Sequence, residues 1–177
     1  MARLIAPDAS YHSSWLEGSE EFDGAHRDGG GGEGWPLEEL RNLESFRRFV
    51  AFLLDDALPE TPRQPGQVPC TYLWIVDGGT FLGSLAIRHE LNDFLLNEGG
   101  HIGYSVRPSA RRRGHASNAL ADALPLAKQL GISRVLMTCD EDNLGSRATI
   151  EKNGGVYEDS RNGKRRYWAN TEHSGAP

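Results

Sequence analysis

Residues 101–139 constrain the fold more than any other part of the chain. His101-Ile102-Gly103-Tyr104-Ser105-Val106-Arg107 reads as a strand stopped by Pro108. From Gly114 the apolar period turns helical, with Ala116, Ala119, Leu120, Ala123, Leu124, Ala127 and Leu130 on one face and Gly131 as the stop. Residues 134–139 then form a short apolar strand. Strand, helix and strand in this order demand parallel strands joined by a right-handed crossover.

The flanking segments build a larger sheet around this unit. Residues 2–7 read as an edge strand, and Asp8 caps a short helix carrying Tyr11, Trp15 and Leu16. The run Asp28-Gly29-Gly30-Gly31-Gly32-Glu33-Gly34 has almost no side chains to bury, which predicts a mobile surface linker in preference to a flap over a cleft. Pro36 opens an apolar stripe from Leu37 to Ala57 that predicts one helix of about five turns. Pro59, Pro62 and Pro65 end it. Residues 70–76 and 80–88 form a hairpin across Asp77-Gly78-Gly79, and residues 90–100 a polar loop. Asn143 caps a helix ending at Gly154-Gly155, and Asn162-Gly163 turns a final hairpin. The expected fold is α/β (α+β): a mixed, mostly antiparallel sheet of about seven strands with a central parallel β-α-β unit, flanked by about four helices. One domain over residues 1–170 is expected, followed by a loose tail at 171–177.

Composition removes several classes of function. The longest apolar runs, such as residues 72–76, fall far short of the ~20 needed to cross a bilayer. The first residues lack a secretory signal, and two cysteines, Cys70 and Cys139, are too few for a disulfide framework or a cysteine zinc site. A soluble cytoplasmic protein without metal or membrane partner is expected. With 25 acidic and 19 basic side chains the net charge is −6, which disfavours nucleic acid as a partner. No Walker loop, Gly-x-Ser-x-Gly elbow or His-Glu-x-x-His spacing occurs.

One stretch carries chemistry. Arg107, Arg111, Arg112 and Arg113 crowd the junction between the strand ending at Val106 and the helix opening at Gly114. The first N–H groups of a helix have no internal partners, and the helix dipole favours an anion there. Gly114 and Ala116 let a phosphate approach the main chain, and the guanidinium groups add charge. A solvated basic loop with an ordinary helix start has the same composition.

Arg111-x-x-Gly114-x-Ala116 resembles the Q/R-x-x-G-x-G/A signature of the GNAT superfamily of acyl-CoA-dependent N-acyltransferases. The strand before it, the helix, the strand to Cys139 and the Asn143 helix follow in that family's order. The resemblance implies an acetyltransferase using acetyl-CoA as co-substrate and an amine as acceptor, with direct attack in a ternary complex. Arg111, Arg112, Arg113, Gly114, His115, Ala116 and Ser117 would cradle the pyrophosphate. Tyr104, Ser105 and Val106 would bond the pantetheine, the Val106 N–H would polarise the thioester carbonyl, and Asn143 would hold the arm from the far side.

The chain departs from the family at Ile150, where a tyrosine often protonates the departing thiolate; Ser146 and Tyr157 are candidate substitutes. A general base for the ammonium of the acceptor is expected among His89, Glu90, Glu98 and His101, with Glu90 preferred at its strand end. Acidic segments at residues 90–98 and 140–142 suit a cationic acceptor, a small molecule or peptide amine. The rivals are a protein N-terminus or lysine as acceptor, a longer acyl donor, and a coenzyme A-binding sensor whose catalysis has decayed. A homodimer through the last hairpin, with Tyr167 and Trp168 displayed, is compatible with the sequence.

Overall fold

A computed structural model describes residues 1–172 of the chain. Seven strands form one sheet: β1 (Arg3–Ile5), β2 (Cys70–Asp77), β3 (Thr80–Arg88), β4 (Ile102–Val106), β5 (Arg134–Asp140), β6 (Val156–Arg161) and β7 (Lys164–Asn170). Their spatial order is β1-β2-β3-β4-β5-β7-β6, and only the β4–β5 pair is parallel. The crossover between those two is α4 (His115–Gln129), which runs through Pro125.

Helices cover both faces. On one, α4 and α5 (Leu144–Lys152) bury Leu120, Ala123, Leu124, Ala127 and Ile150 against Leu85, Ile87, Ile102, Val135 and Met137. On the other, α1 (His12–Glu20), α2 (Leu37–Leu40) and α3 (Leu43–Asp55) close a second core. There Trp15, Phe46, Phe49, Trp74 and Phe81 meet in tilted and edge-on pairs 5–6.5 Å apart, the geometry that aromatic quadrupoles favour.

Three expectations are corrected. The stripe after Pro36 forms two helices, because the Asn42 side chain accepts the Ser45 N–H at 3.0 Å and starts a new helix. The glycine run is seated on the sheet: a Cβ on Gly29 (φ +75°) would stand 2.4 Å from the Gly103 carbonyl oxygen, and one on Gly31 (φ +68°) 2.6 Å from Leu53. Glycine serves there as the residue that allows close backbone approach, which composition cannot distinguish from linker freedom. The chain is also anchored beyond residue 170, since Thr171 is buried and its hydroxyl donates to the Ile132 carbonyl at 2.7 Å. Residues 173–177 of the expected tail lie outside the described residues.

Candidate active site

β4 and β5 part company soon after they meet. They pair at Ile102↔Met137, after which β4 follows β3 to Gly83↔Val106 and β5 follows β7 to Asp140↔Lys164. The ladder to β3 uses the odd-numbered groups of β4 and its ends, since Arg107 N–H reaches the Leu82 carbonyl and the His101 carbonyl accepts from Arg88 N–H. The N–H groups of Tyr104 and Val106 therefore face the opening. The opening is a cleft of about 1030 Å³, with Tyr104, Ser105 and Val106 on one side. Thr138, Cys139, Asp140, Asn143, Ser146 and Thr149 line the other.

At the C-terminal end of β4 the wall is main chain. Arg112 (φ +62°) and Gly114 (φ +81°) are both left-handed, and Gly114 caps α4 without a side-chain bond. A Cβ on Gly114 would meet no atom within 4 Å, and the first turn of α4 borders the cleft through His115, Ala116 and Ser117. Alternating backbone handedness ahead of a helix start turns successive N–H groups toward one point, an anion seat. Arg111, Arg112, Gly114, His115, Ala116 and Ser117 line the cleft; Arg113 does not. The Arg111 Nε donates to the Val106 carbonyl at 3.0 Å, and its guanidinium lies 5.6 Å from the Phe22 ring centroid.

Arg107 has a different task. It is buried, donating from Nε to Glu21 at 2.9 Å and from Nη1 to the Phe81 carbonyl at 3.0 Å. Glu21 also accepts the Ser109 N–H at 2.9 Å, tying the turn before the seat to the end of α1. The hydrogen bonds from Arg107 hold the Glu21 carboxyl down at about 2.

A parallel pair splayed over an uncapped helix start is what the Arg111-to-Ala116 resemblance requires, and the family model for the acetyltransferase (GNAT) domain matches residues 34–156. The chain belongs to the GNAT acetyltransferase family. No curated protein sequence matches it. Among solved structures, Mycobacterium smegmatis RimJ in complex with CoA-disulfide aligns over 99% of this chain and 84% of that one, at 19% identity and TM-score 0.70. RimL, a ribosomal L7/L12 alpha-N-protein acetyltransferase in complex with coenzyme A, aligns over 96% and 93%, at 19% and TM-score 0.62. The microcin C7 self-immunity acetyltransferase MccE, in complex with acetyl-CoA and AMP, aligns over 96% and 92%, at 16% and TM-score 0.64. At these identities the likeness establishes the GNAT fold, and the site is argued from this chain's own residues.

Of the four base candidates only Glu98 lines the cleft. It sits on a π-helical turn, Leu95–Gly99, inside the segment expected to be a loop. Two bonds fix that turn: Thr138 Oγ1 donates to the Glu98 carbonyl at 2.6 Å, and Arg166 Nε to the Leu96 carbonyl at 2.9 Å. The preferred Glu90 is exposed and outside the lining, because the strand end that carries it turns toward residues 69–71. Its neighbour His89 is engaged with Thr71 Oγ1 at 2.7 Å. His101 is buried between strands, and desolvation lowers its pKa to about 4.

Ser146 lines the cleft, at 2.7 Å from the Tyr104 hydroxyl, and Asn143 Oδ1 accepts the Ser146 N–H at 3.1 Å. Tyr157 lies on the edge strand β6, away from the lining. Arg166 is buried on β7, where its guanidinium pairs with the part-exposed carboxylates of Glu158 and Asp159. Tyr167 is fully buried as well, its hydroxyl on Glu151 at 2.9 Å, so the last hairpin does not display it.

The sequence reading passed over Phe22, His26, Asp28, Glu33 and Arg88, which also line the cleft. Asp28 lies 3.5 Å from the Arg88 guanidinium and over Gly103 on β4. Only the acidic ends of the glycine run signalled these positions.

Proposed function

We propose that this chain transfers acetyl from acetyl-CoA to a primary amine by direct attack within the β4–β5 cleft. The observation that carries the proposal is the shared opening: the Tyr104 and Val106 N–H groups and the bare start of α4 face one cavity. The residues fit the cofactor. The α4 N-terminus with Arg111 and Arg112 offers N–H and guanidinium donors to a diphosphate. Tyr104, Ser105 and Val106 offer a free strand edge to the pantetheine amides. Asn143 keeps its amide NH₂ for the same arm while its oxygen caps α5.

Acetyl-CoA supplies an activated acyl group and a thiolate leaving group. The Val106 N–H, with that of Tyr104 beside it, donates to the thioester oxygen, where negative charge grows during attack. Glu98 takes the proton of the incoming ammonium, directly or through water, because an amine attacks only through its free lone pair. Ser146 donates to the sulfur as the C–S bond breaks. Asp28, Glu33 and Glu98 around the cleft favour a cationic acceptor.

Ile150 supports a second reading. It is fully buried and absent from the cleft, so the place of the family's tyrosine supplies no acid, as in a coenzyme A sensor without turnover. One experiment separates the two. Calorimetry with acetyl-CoA, followed by thiol release across small amines, polyamines and short peptides, gives binding with turnover for an enzyme and binding alone for a sensor. No saturable heat at millimolar acetyl-CoA overturns both.

A further inference from the structure

With Ile150 in the core, the cleft wall facing β4 offers the hydroxyls of Thr138, Ser146 and Thr149, the Cys139 thiol and the Asn143 amide. Tyr104 projects from β4 and Ser146 from the first turn of α5, and their oxygens meet across the divergence at 2.7 Å. Ser146 is held in place from behind by Asn143, which caps the helix through the Ser146 N–H. The Cys139 thiol adjoins the same serine, and burial pushes that thiol up, so it stays neutral there.

We infer that Tyr104 is a positioning residue for thiolate departure: its hydroxyl donates to Ser146 Oγ and thereby aims the Ser146 O–H into the cleft at the leaving sulfur. The inference rests on the acetyl-transfer reading above. A phenol is the stronger acid of the two hydroxyls and so the donor, and donation into Ser146 polarises its own O–H. Burial pushes the Tyr104 phenol up to about 12, against the pull of the Ser146 and Thr149 hydroxyls, so it keeps its proton at any working pH. No proton need change hands. The C–S bond breaks, the electron pair stays on sulfur, and the anion takes a hydrogen bond from Ser146. A thiol with a pKa of about 8.5 is tolerable as a leaving anion and gains its proton from water after release.

The test compares coenzyme A with its desulfo analogue at pH 9, where much of the free thiol is ionised. Tyr104→Phe and Ser146→Ala should each weaken coenzyme A binding about 10-fold relative to desulfo-coenzyme A, and the double variant should lose no more than either single one. The same variants should lower kcat about 10-fold or more while KM for acetyl-CoA stays within about twofold. A thermal melt close to that of the unmodified protein certifies that a variant is folded, and Ser146→Ala carries the test if Tyr104→Phe is not. A sulfur-independent loss, or none, in folded variants overturns the inference and leaves the acetyltransferase reading standing. Failure of the unmodified protein to bind either cofactor overturns that reading instead.

Discussion

His101 holds Leu136 twice: its backbone N–H donates to the Leu136 carbonyl at 2.7 Å, and its imidazole Nδ1 accepts the Leu136 N–H at 2.8 Å. This clamp lies at the apex of the V, where β4 and β5 last touch before they diverge. The side chain takes over a backbone bond that would otherwise have to come from β4 itself. The divergence that makes the cleft is thus fixed at its origin.

The clamp requires a neutral imidazole. Burial, reinforced by Arg88, lowers the His101 pKa from 6.5 to about 4. A base whose folded pKa is depressed gives its full stability above the unfolded value and loses it as pH falls through the folded one. Thermal stability should therefore decline between pH 6.5 and 4. His101→Ala should lower stability at pH 7 by about 2 kcal/mol, through the unpaired Leu136 N–H, and flatten the decline. Melting curves across this range check it; an equally steep decline in the variant counts against the clamp.

Glu21 should govern a lower window. Its pKa falls from 4.5 to about 2 through Arg107, so its contribution is complete above pH 4.5 and disappears toward pH 2. Glu21→Ala leaves the buried Arg107 unpaired and should cost about 3 kcal/mol at pH 7. It should also loosen the turn at Ser109 and raise Kd for acetyl-CoA, which denaturant unfolding and calorimetry would read separately.

Gly114→Ala tests the diphosphate seat. The site has room for a methyl group but a φ of +81°, so the strain should be about 1–2 kcal/mol. The methyl would occupy the space that the proposed seat offers to a phosphate. Acetyl-CoA affinity should fall more than about 10-fold, beyond the folding cost, and equal affinity in the variant would remove the seat from the α4 start.

Glu98→Gln tests the base. Turnover should fall about 100-fold at neutral pH, and the acidic limb of the kcat/KM profile should vanish, with acetyl-CoA binding unchanged. Glu90→Gln should leave both rate and profile as they were. If the two variants exchange these outcomes, the strand-end assignment was the right one.

Gly29→Ala tests whether the glycine run belongs to the site. Its new Cβ cannot stand 2.4 Å from the Gly103 oxygen, so the loop must lift from β4. KM for the acceptor should rise several-fold while Kd for acetyl-CoA holds. A rise in both would show instead that the whole cleft had opened.

Local features carried most of the fold. The change of period at Gly114, the Gly-Gly and Asn-Gly turns and the Asn143 cap are written in adjacent residues, and each element they announce exists within a few positions. The helix start at Gly114 was legible for the same reason, because it and its preceding loop are contiguous. The base was not. Glu90 and Glu98 have the same chemistry eight residues apart, and only the π-helical turn at residues 95–99 decides which one reaches the cleft.

By itself, then, the sequence determined most of the strands and helices and where the crossover lies, since these depend on short-range periodicity, capping and backbone freedom. The tertiary structure alone decided that β4 and β5 separate after Ile102↔Met137, and that Tyr104 meets Ser146. It also placed Arg166 beneath the turn of Glu98, and Gly29 on Gly103. Those relationships join residues tens of positions apart, and they arise where sheet register and helix packing bring together side chains that no local pattern links.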